Sequence, residues 1–168
     1  MYTIGIDLGG TNIVASVVDD EYKIIGTSKT PTNAPRSADE IFDDIAEVCE
    51  EAVKAANLTM ADIDSVGMGT PGTVNQDGII EFANNLAFNN VPARTMLAKR
   101  LNKPEEKIYI ENDANCAALG EAYAGVGNGA KDFVAVTLGT GVGSGVIIDG
   151  KIVNGVNYAG GECGHMVI

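Results

Sequence analysis

The sequence predicts an α/β protein that opens with a meander of strands. Three observations predict this fold class: β-branched runs flank a glycine turn within residues 3–18, an amphipathic helical pattern follows a capping signal at Ser37, and a second strand–turn–strand segment begins after residue 131. The chain has 168 residues, of which 45% are hydrophobic. This length is sufficient for the hydrophobic core of one domain, whereas two domains would both be small.

The meander comprises three predicted strands. Ile and Val dominate residues 3–8 and 12–18, which flank the turn "GGT", and these two segments therefore form a predicted hairpin. Residues 22–28, with the sequence "YKIIGTS", supply the third strand.

A helix follows the meander. Ser37 and Glu40 have the spacing of a capping box, in which each side chain accepts from the backbone N–H of the other residue. Beyond this signal, apolar residues recur at helical spacing over about five turns. The stripe consists of Ile41, Ile45, Val48, Ala52 and Ala55. We expect it to pack on the meander.

The middle of the chain alternates between short strands and helices. In order, the pattern predicts a strand at 64–69, an irregular Asn-rich stretch at 73–90, a helix from about Pro92 to Leu101, a strand at 107–111 and a helix from Ala114 to Ala124. The sides of the last helix are mostly Ala and Gly, which lets it approach a neighbour closely. The glycine string at 125–131 predicts a connector, so that we expect one unit over 1–124 and the start of a second over 132–168.

The second unit begins with a segment that resembles the first strands. Leu8 and Gly9 correspond to Leu138 and Gly139, and in both segments a glycine-bearing turn lies between β-branched runs. This pattern indicates a duplicated strand–turn–strand unit. Chance similarity between two hairpins rich in Gly and Val is the alternative interpretation.

The second glycine turn is not typical of a dinucleotide or Walker loop. The string "GTGVGSG" at 139–145 is followed by the β-branched run 146–148, whereas a dinucleotide fingerprint needs a helix directly after its glycines. No Gly-Lys-Ser/Thr closes either turn. What remains is a pair of hairpin turns whose backbone N–H groups can contact an oxyanion closely.

Charge and composition exclude several classes of partner. The formal net charge is -12 and only 11 residues are Lys or Arg, which argues against a nucleic-acid partner. An acidic protein that handles phosphate is expected to recruit a divalent cation. Cys49, Cys116 and Cys163 lie far apart and form neither a disulfide framework nor a closed zinc pattern. We find no signal peptide and no apolar run of membrane-spanning length, and expect a cytoplasmic protein without a membrane partner.

Five motifs, in this order along the chain, resemble those of the ROK sugar kinases, a branch of the actin, hexokinase and heat-shock chaperone ATPase superfamily. They are "DLGGTN" (7–12), "GTPG" (69–72), "ENDANCAALGE" (111–121), "LGTGVGSG" (138–145) and "GGECGH" (160–165). The subgroup that the chain resembles is glucokinase-like. The resemblance implies a ribonuclease-H-like, actin-like ATPase fold with a mixed five-stranded sheet and helices, followed by the start of a second related lobe. It also implies ATP and a hexose in the cleft between lobes.

The resemblance assigns the glycine turns to the nucleotide. Asp7 is implied to hold Mg²⁺, so that the metal lies between this carboxylate and a phosphate that it would otherwise repel. The residues implied to contact phosphate are Gly9, Gly10 and Thr11 in the first turn and Gly139, Thr140 and Gly141 in the second. The structural alternatives are a turn aspartate bonded to its own backbone for Asp7, and tight hairpins that need positive φ for the glycines.

The resemblance also implies the residues that bind and activate the sugar. Asp113 is the implied base that accepts the proton of the sugar hydroxyl, although Asp is also a favoured helix N-cap residue. Asn85 and Asn112 match positions that hydrogen-bond sugar hydroxyls. Glu162 and His165 resemble a pair that grips the sugar, and His165 is further implied to ligate a structural zinc. The family commonly has a tryptophan near Phe88, so this chain departs from the pattern at that wall of the pocket.

The zinc site implied by the family continues with a cysteine-rich run that this sequence does not contain, so that we expect the zinc site to be complete only in a longer chain. We therefore expect an amino-terminal piece of a two-lobed kinase, with little or no activity by itself, and a homodimer as one oligomeric state. Two other classes remain open: a sugar-sensing repressor of the same family, or a filament or chaperone-type ATPase. Hexose and N-acetylhexosamine kinases are not separated by the sequence.

Overall fold

The computed structural model describes residues 1–139 and 141–167, and the chain divides into two compact units, Met1–Glu111 and Asn112–Ile168. The sequence places the boundary later, between 124 and 125. The helix at 113–124 groups with the second unit because its small side chains pack on a strand of that unit.

The elements follow one another in chain order. The strands are β1 (Tyr2–Leu8), β2 (Asn12–Val18), β3 (Ile24–Pro31), β4 (Ile63–Thr70), β5 (Thr73–Val74), β6 (Ile80–Ala83), β7 (Phe88–Val91), β8 (Ile108–Asn112), β9 (Phe133–Leu138), β10 (Val142–Ile148) and β11 (Lys151–Ile152). The α-helices are α1 (Ala38–Ala55), α2 (Ala93–Leu101) and α3 (Asp113–Ala124).

The main sheet of the first unit has five strands in the order β3-β2-β1-β4-β8. The pairs β1–β2 and β2–β3 are antiparallel, whereas β1 and β4 are parallel, which confirms the predicted mixed sheet. The third strand begins at Ile24 and not at residue 22, because Tyr22 has a φ of 61° and belongs to the turn that precedes it.

Helix α1 packs its apolar stripe against β2 and β3. The capping box of Ser37 and Glu40 is present as predicted. The prediction for Ala55 is wrong, because this residue is exposed. The buried stripe is broader and consists of Ile41, Phe42, Ile45, Val48, Cys49, Ala52 and Val53. At 3.6 residues per turn, the side of the helix that faces the sheet reaches Ala52 and Val53 in the last turn and leaves Ala55 on the side that faces water.

Residues 73–90 are not irregular, as the sequence predicted, but form a small antiparallel sheet in the order β5-β6-β7. Its strands have two to four residues each, too short for an alternating pattern to be visible in the sequence. Phe88 of β7 is buried and lies against Phe42 of α1, with ring centroids 6.3 Å apart. This contact joins the small sheet to the core of the first unit.

Gly72 of the "GTPG" motif explains how the chain turns from β4 into the small sheet. Its φ is 92°, and a Cβ atom there would lie 2.0 Å from the carbonyl oxygen of Phe82 in β6. Only glycine combines this backbone conformation with such an approach. Gly72 therefore lets the chain between β4 and β5 pass close to the backbone of β6.

The second unit contains α3 packed on an antiparallel sheet in the order β11-β10-β9. The predicted close approach is present at Gly145 of β10, where a Cβ atom would lie 2.5 Å from the Cβ atom of Ala118. Both predicted hairpins exist, but β1–β2 pairs Leu8 with Ile13, whereas β9–β10 pairs Leu138 with Val142. The second turn is therefore one residue shorter than the first.

Within the described ranges 1–139 and 141–167, no helix has both the length and the apolar composition needed to cross a bilayer.

Candidate functional site

The first glycine turn joins β1 to β2 and is held from two sides. The N–H of Gly9 donates to the carbonyl oxygen of Asn12 at 2.9 Å. Thr32, which directly follows β3, is completely buried. Its N–H donates to the carbonyl oxygen of Thr11 at 2.8 Å, and its hydroxyl donates to the carbonyl oxygen of Gly9 at 2.7 Å. The turn is therefore anchored to the chain beyond the meander.

Asp7 lies on β1 itself and not in the turn. It is opposite Val14 of β2 and Gly69 of β4, and it is exposed, whereas its neighbours Ile6 and Leu8 are buried. Successive side chains of a strand point to opposite faces of the sheet. The carboxylate of Asp7 is therefore on the face opposite to the core, close to the end of β1 where the glycine turn begins.

A divalent cation fits this arrangement of donors. In sites that handle phosphate, Mg²⁺ is commonly bound by one or two carboxylates together with substrate phosphates and water. The exposed carboxylate of Asp7, beside a turn of small residues, is a ligand of the kind that such a site needs. That Asp7 holds Mg²⁺ stays a prediction.

Asn85 lies next to the first glycine turn. It belongs to a single 3₁₀ turn, Asn84–Leu86, which connects β6 to β7, and its side chain is exposed. A Cβ atom at Gly10 would lie 3.2 Å from the Cβ atom of Asn85. The structure thus brings together a residue predicted to contact phosphate and a residue predicted to bind sugar.

Asn112 and Asp113 form the start of α3 in the second unit. The side-chain oxygen of Asn112 accepts from the N–H of Ala114 at 2.9 Å and from the N–H of Asn115 at 3.2 Å. Asn112 is therefore the N-cap, and the alternative that Asp113 caps the helix is wrong. Asp113 is the first helical residue, and its exposed carboxylate accepts from the N–H of Ala114 at 2.8 Å.

The second glycine turn connects β9 to β10. The N–H of Gly139 donates to the carbonyl oxygen of Gly141 at 2.9 Å, and a Cβ atom at either glycine would meet no other atom within 4 Å. Thr140 lies outside the described residues. The open space around both glycines leaves room for a ligand, and their contact with phosphate stays a prediction.

Glu162 and His165 lie at a 3₁₀ turn, Cys163–His165. The His165 Nε2 and Glu162 Oε2 atoms are 3.9 Å apart, and the His165 side chain is 85% exposed. The predicted spacing of the pair therefore corresponds to two side chains that lie close together and are open to a ligand.

Ser144 of β10 anchors the segment that carries this pair. Its buried hydroxyl donates to the carbonyl oxygen of Gly161 and accepts from the N–H of Cys163 at 3.1 Å. Ser144 lies within the motif "LGTGVGSG", but no sequence signal distinguishes it from its neighbours. Thr32 lies outside all five motifs, and no sequence signal marks it either.

The described side chains do not form the zinc site that the family resemblance implies. In the described part of the chain, no three His, Cys, Asp or Glu side chains come together as a metal site would require. Among these residues His165 has the nearby carboxylate of Glu162 but does not belong to a cluster of three such side chains, and a structural zinc remains a prediction for a longer chain.

Cys49 is a structural residue of the core. Burial raises the pKa of its thiol to about 12, with a smaller contribution from the charge of Glu50. A thiol with so high a pKa is almost entirely protonated near neutral pH and is a poor nucleophile. Cys49 is therefore not a candidate nucleophile.

The chain matches the ROK family over residues 3–168. It is 34% identical over 166 residues to a glucokinase of Halalkalibacterium halodurans, covering 98% of this chain and 49% of that protein. It is 35% identical over 173 residues to a xylose repressor of Caldicellulosiruptor bescii, covering 98% of this chain and 41% of the repressor.

A solved structure shows the same fold. The ROK family glucokinase from Streptomyces griseus, in complex with glucose and AMPPNP, superimposes with a TM-score of 0.88 at 37% identity, covering 99% of this chain and 50% of that one. The chain spans about half the length of the curated relatives it matches. The match over nearly all of its residues, together with the mixed five-stranded sheet, confirms the predicted actin-like ATPase fold. The chain therefore belongs to the ROK family.

Proposed function

We propose that this ROK protein takes part in the ATP-dependent phosphorylation of a hexose hydroxyl, as a glucokinase-like enzyme. The observation that carries this proposal is the contact between Gly10 and Asn85 within the first unit. Phosphoryl transfer to a sugar needs a phosphate and a hydroxyl to be held next to each other. A glycine turn suited to a phosphate beside an exposed amide suited to a hydroxyl supplies one group for each.

The first glycine turn has the chemistry to hold a phosphate, because its small residues permit close approach of backbone N–H groups. Asp7 would hold Mg²⁺, and a bound Mg²⁺ ion would neutralise part of the negative charge of the phosphate. The turn at Gly139 and Gly141 in the second unit is proposed as a further phosphate-binding turn.

The sugar is proposed to be oriented by amide and carboxylate side chains. Asn85 and Asn112 carry amides, which donate and accept hydrogen bonds with hydroxyl groups. The side-chain oxygen of Asn112 caps α3 and thereby fixes the position of its amide. Glu162 and His165 add an acceptor and a second hydrogen-bonding group at an exposed turn.

Asp113 is the proposed base. An exposed carboxylate held at the first position of a helix by the Ala114 N–H can accept the hydroxyl proton as the oxygen attacks the phosphate. In transfer reactions with a loose transition state, orientation of the acceptor hydroxyl matters more than a raised pKa. The position of Asp113 at the end of β8, on the first turn of a helix, suits that task.

Sugar binding by the 168-residue chain tests the proposal without requiring turnover. A ligand that binds only the native state stabilises it by mass action, by about 2.7 kcal/mol at 100 times its Kd. We expect glucose to raise the melting temperature in a saturable way, and Asn85→Ala to weaken this response. Galactitol, an open-chain polyol, is the control for nonspecific stabilisation. Absence of any hexose-dependent shift would contradict the proposal.

Turnover is proposed for a chain of the relatives' full length. There, glucose-dependent ADP formation is the decisive measurement, with N-acetylglucosamine and xylose as competing substrates. The second candidate function, a sugar-sensing repressor, is favoured by the similarity to the xylose repressor. Saturable sugar binding without ADP formation in the full-length chain would favour the repressor.

A further inference from the structure

Thr32 makes two hydrogen bonds to the first glycine turn, although it lies outside this turn. Its hydroxyl and its N–H donate to the carbonyl oxygens of Gly9 and Thr11, at 2.7 and 2.8 Å. Its own carbonyl oxygen accepts from Nε of Arg36 at 2.8 Å. Thr32 is completely buried and 23 residues from Gly9 along the chain.

The hydroxyl bond controls the direction of one backbone N–H group. A trans peptide unit is planar, and its C=O and N–H bonds point in opposite directions. The carbonyl of Gly9 points at the Thr32 hydroxyl, so that the N–H of Gly10, in the same peptide unit, points away from Thr32. A rotation of this peptide would break the bond to Thr32 and move the N–H of Gly10 away from its present direction.

The anchor of the turn is itself fixed to α1. Arg36 donates from Nη2 to a carboxylate oxygen of Asp44, and both side chains are half-buried, with exposed fractions of 22% and 31%. Thr32 is therefore connected through Arg36 to the helix that packs on the meander. These hydrogen bonds fix the backbone that carries the Thr32 hydroxyl relative to α1.

We propose that Thr32 is a positioning residue, whose buried hydroxyl holds the Gly9–Gly10 peptide so that the Gly10 N–H is directed at a phosphate oxygen. The proposal rests on the proposed function, since it assumes that the turn binds a polyphosphate. Thr32 does not contact the ligand. It acts through the peptide and lowers the reorganisation needed when the anion binds.

The test compares three variants of the 168-residue chain. Thr32→Val keeps the shape of the side chain and removes the hydroxyl, whereas Thr32→Ser keeps the hydroxyl and removes the methyl group. Thr30→Val is the matched control, because Thr30 is a half-buried threonine of β3, two positions before Thr32 and opposite Ile13. The probe is magnesium tripolyphosphate, and the readouts are its Kd and the NMR shift of the Gly10 amide. The Kd of glucose is measured in parallel.

We expect Thr32→Val to weaken tripolyphosphate binding about tenfold, the scale of one hydrogen bond. Thr32→Ser and Thr30→Val should bind like the unchanged chain, and glucose affinity should change much less than tripolyphosphate affinity in every variant. Equal tripolyphosphate binding by Thr32→Val would overturn the inference, as would equal losses for glucose and tripolyphosphate, which would indicate general damage to the unit.

Two further outcomes are informative. If tripolyphosphate does not shift the Gly10 amide in the unchanged chain, the phosphate assignment of the turn is wrong, and the inference is wrong with it. If Thr32→Val does not fold, Thr32→Ala is compared with Thr32→Ser, since this pair also differs by the hydroxyl. Failure of Thr32→Ala to fold while Thr32→Ser folds would assign the hydroxyl to folding and overturn the positioning role.

Discussion

Gly10 and Asn85 lie against each other, and a Cβ atom at Gly10 would come within 3.2 Å of the Cβ atom of Asn85. The first residue belongs to a hairpin turn of the main sheet and the second to a 3₁₀ turn of the small sheet. A side chain at position 10 would therefore require Asn85 to give way, which shows how closely the two turns approach each other. The candidate phosphate site and the candidate sugar site of the first unit are therefore parts of one structure.

Gly10→Ala should lower glucose affinity severalfold while the chain stays folded. The added methyl group requires Asn85 to move by a few tenths of an ångström, and the amide then loses its alignment with the sugar. Isothermal titration with glucose measures the effect. Gly5→Ala is the control, because a Cβ atom at Gly5 meets no atom within 4 Å. An unchanged glucose Kd in Gly10→Ala would show that the contact does not position Asn85.

Asp113→Asn should reduce turnover by about 100-fold or more, the usual contribution of a general base. The amide keeps the acceptor for the Ala114 N–H, so helix α3 and the sugar Kd should be little changed. ADP formation and glucose titration, both in a chain of the relatives' length, separate the two effects. Asp132→Asn, at an exposed carboxylate that accepts from the Asp149 N–H, should leave turnover unchanged. Turnover that survives in Asp113→Asn would remove this residue from the mechanism.

Ser144→Ala should loosen the segment that carries Glu162 and His165. The substitution removes the acceptor for the Cys163 N–H and the donor to the Gly161 carbonyl. We expect faster alkylation of Cys163 by iodoacetamide, measured by peptide mass spectrometry, and weaker glucose binding. Cys116 is the internal reference.

The matched control for Ser144→Ala is Ser28→Ala, which also removes a hydroxyl that donates a hydrogen bond, in this case to Glu51. It should change neither the labelling of Cys163 nor glucose binding. If Cys163 reacts at the same rate in Ser144→Ala as in the unchanged chain, the serine does not hold the segment.

Gly145→Ala and Gly120→Ala should have opposite effects on stability. A methyl group at Gly145 would lie 2.5 Å from the Cβ atom of Ala118 and 2.8 Å from the carbonyl oxygen of Ala114. Such overpacking costs about 1–3 kcal/mol. At Gly120 a Cβ atom meets nothing within 4 Å, and alanine is favoured over glycine in a helix by about 1 kcal/mol. Urea unfolding followed by circular dichroism measures both, and a loss of stability in Gly120→Ala would contradict this account.

Ser37→Ala should make stability less dependent on pH in the acidic range. The Ser37 hydroxyl, followed by its backbone N–H, lowers the pKa of Glu40 below its ordinary value of 4.5. The ionised Glu40 therefore contributes stability above that value, and the contribution is lost as the pH falls below it through the lowered pKa. Unfolding free energies of both proteins at neutral and acidic pH test this. If the unfolding free energies of the two proteins fall equally on acidification, the capping box is not the source of the pH dependence.

The sequence predicted elements whose signal is local. The capping box needs only Ser37 and Glu40, and the hairpin of residues 3–8 and 12–18 follows from β-branched residues around a turn, so both could be predicted from neighbouring residues. The small sheet at 73–91 could not, because its strands are held by pairing with one another and by the burial of Phe88 on Phe42. The exposure of Ala55 likewise depends on which side of α1 packs on the sheet, and the sequence pattern alone does not determine this side.

The amino-acid sequence by itself determined the fold class, the order of the main elements and the family, because these depend on periodicity and on motifs of consecutive residues. Only the tertiary structure decided that Asn85 lies at Gly10, that Thr32 holds the first turn, and that Ser144 holds the segment before His165. These contacts join residues far apart in the chain; Ser144 and Gly161, for example, are separated by 17 positions. Hydrogen bonds and van der Waals contacts act over a few ångströms of space, so such partners meet only after the sheets and helices have packed.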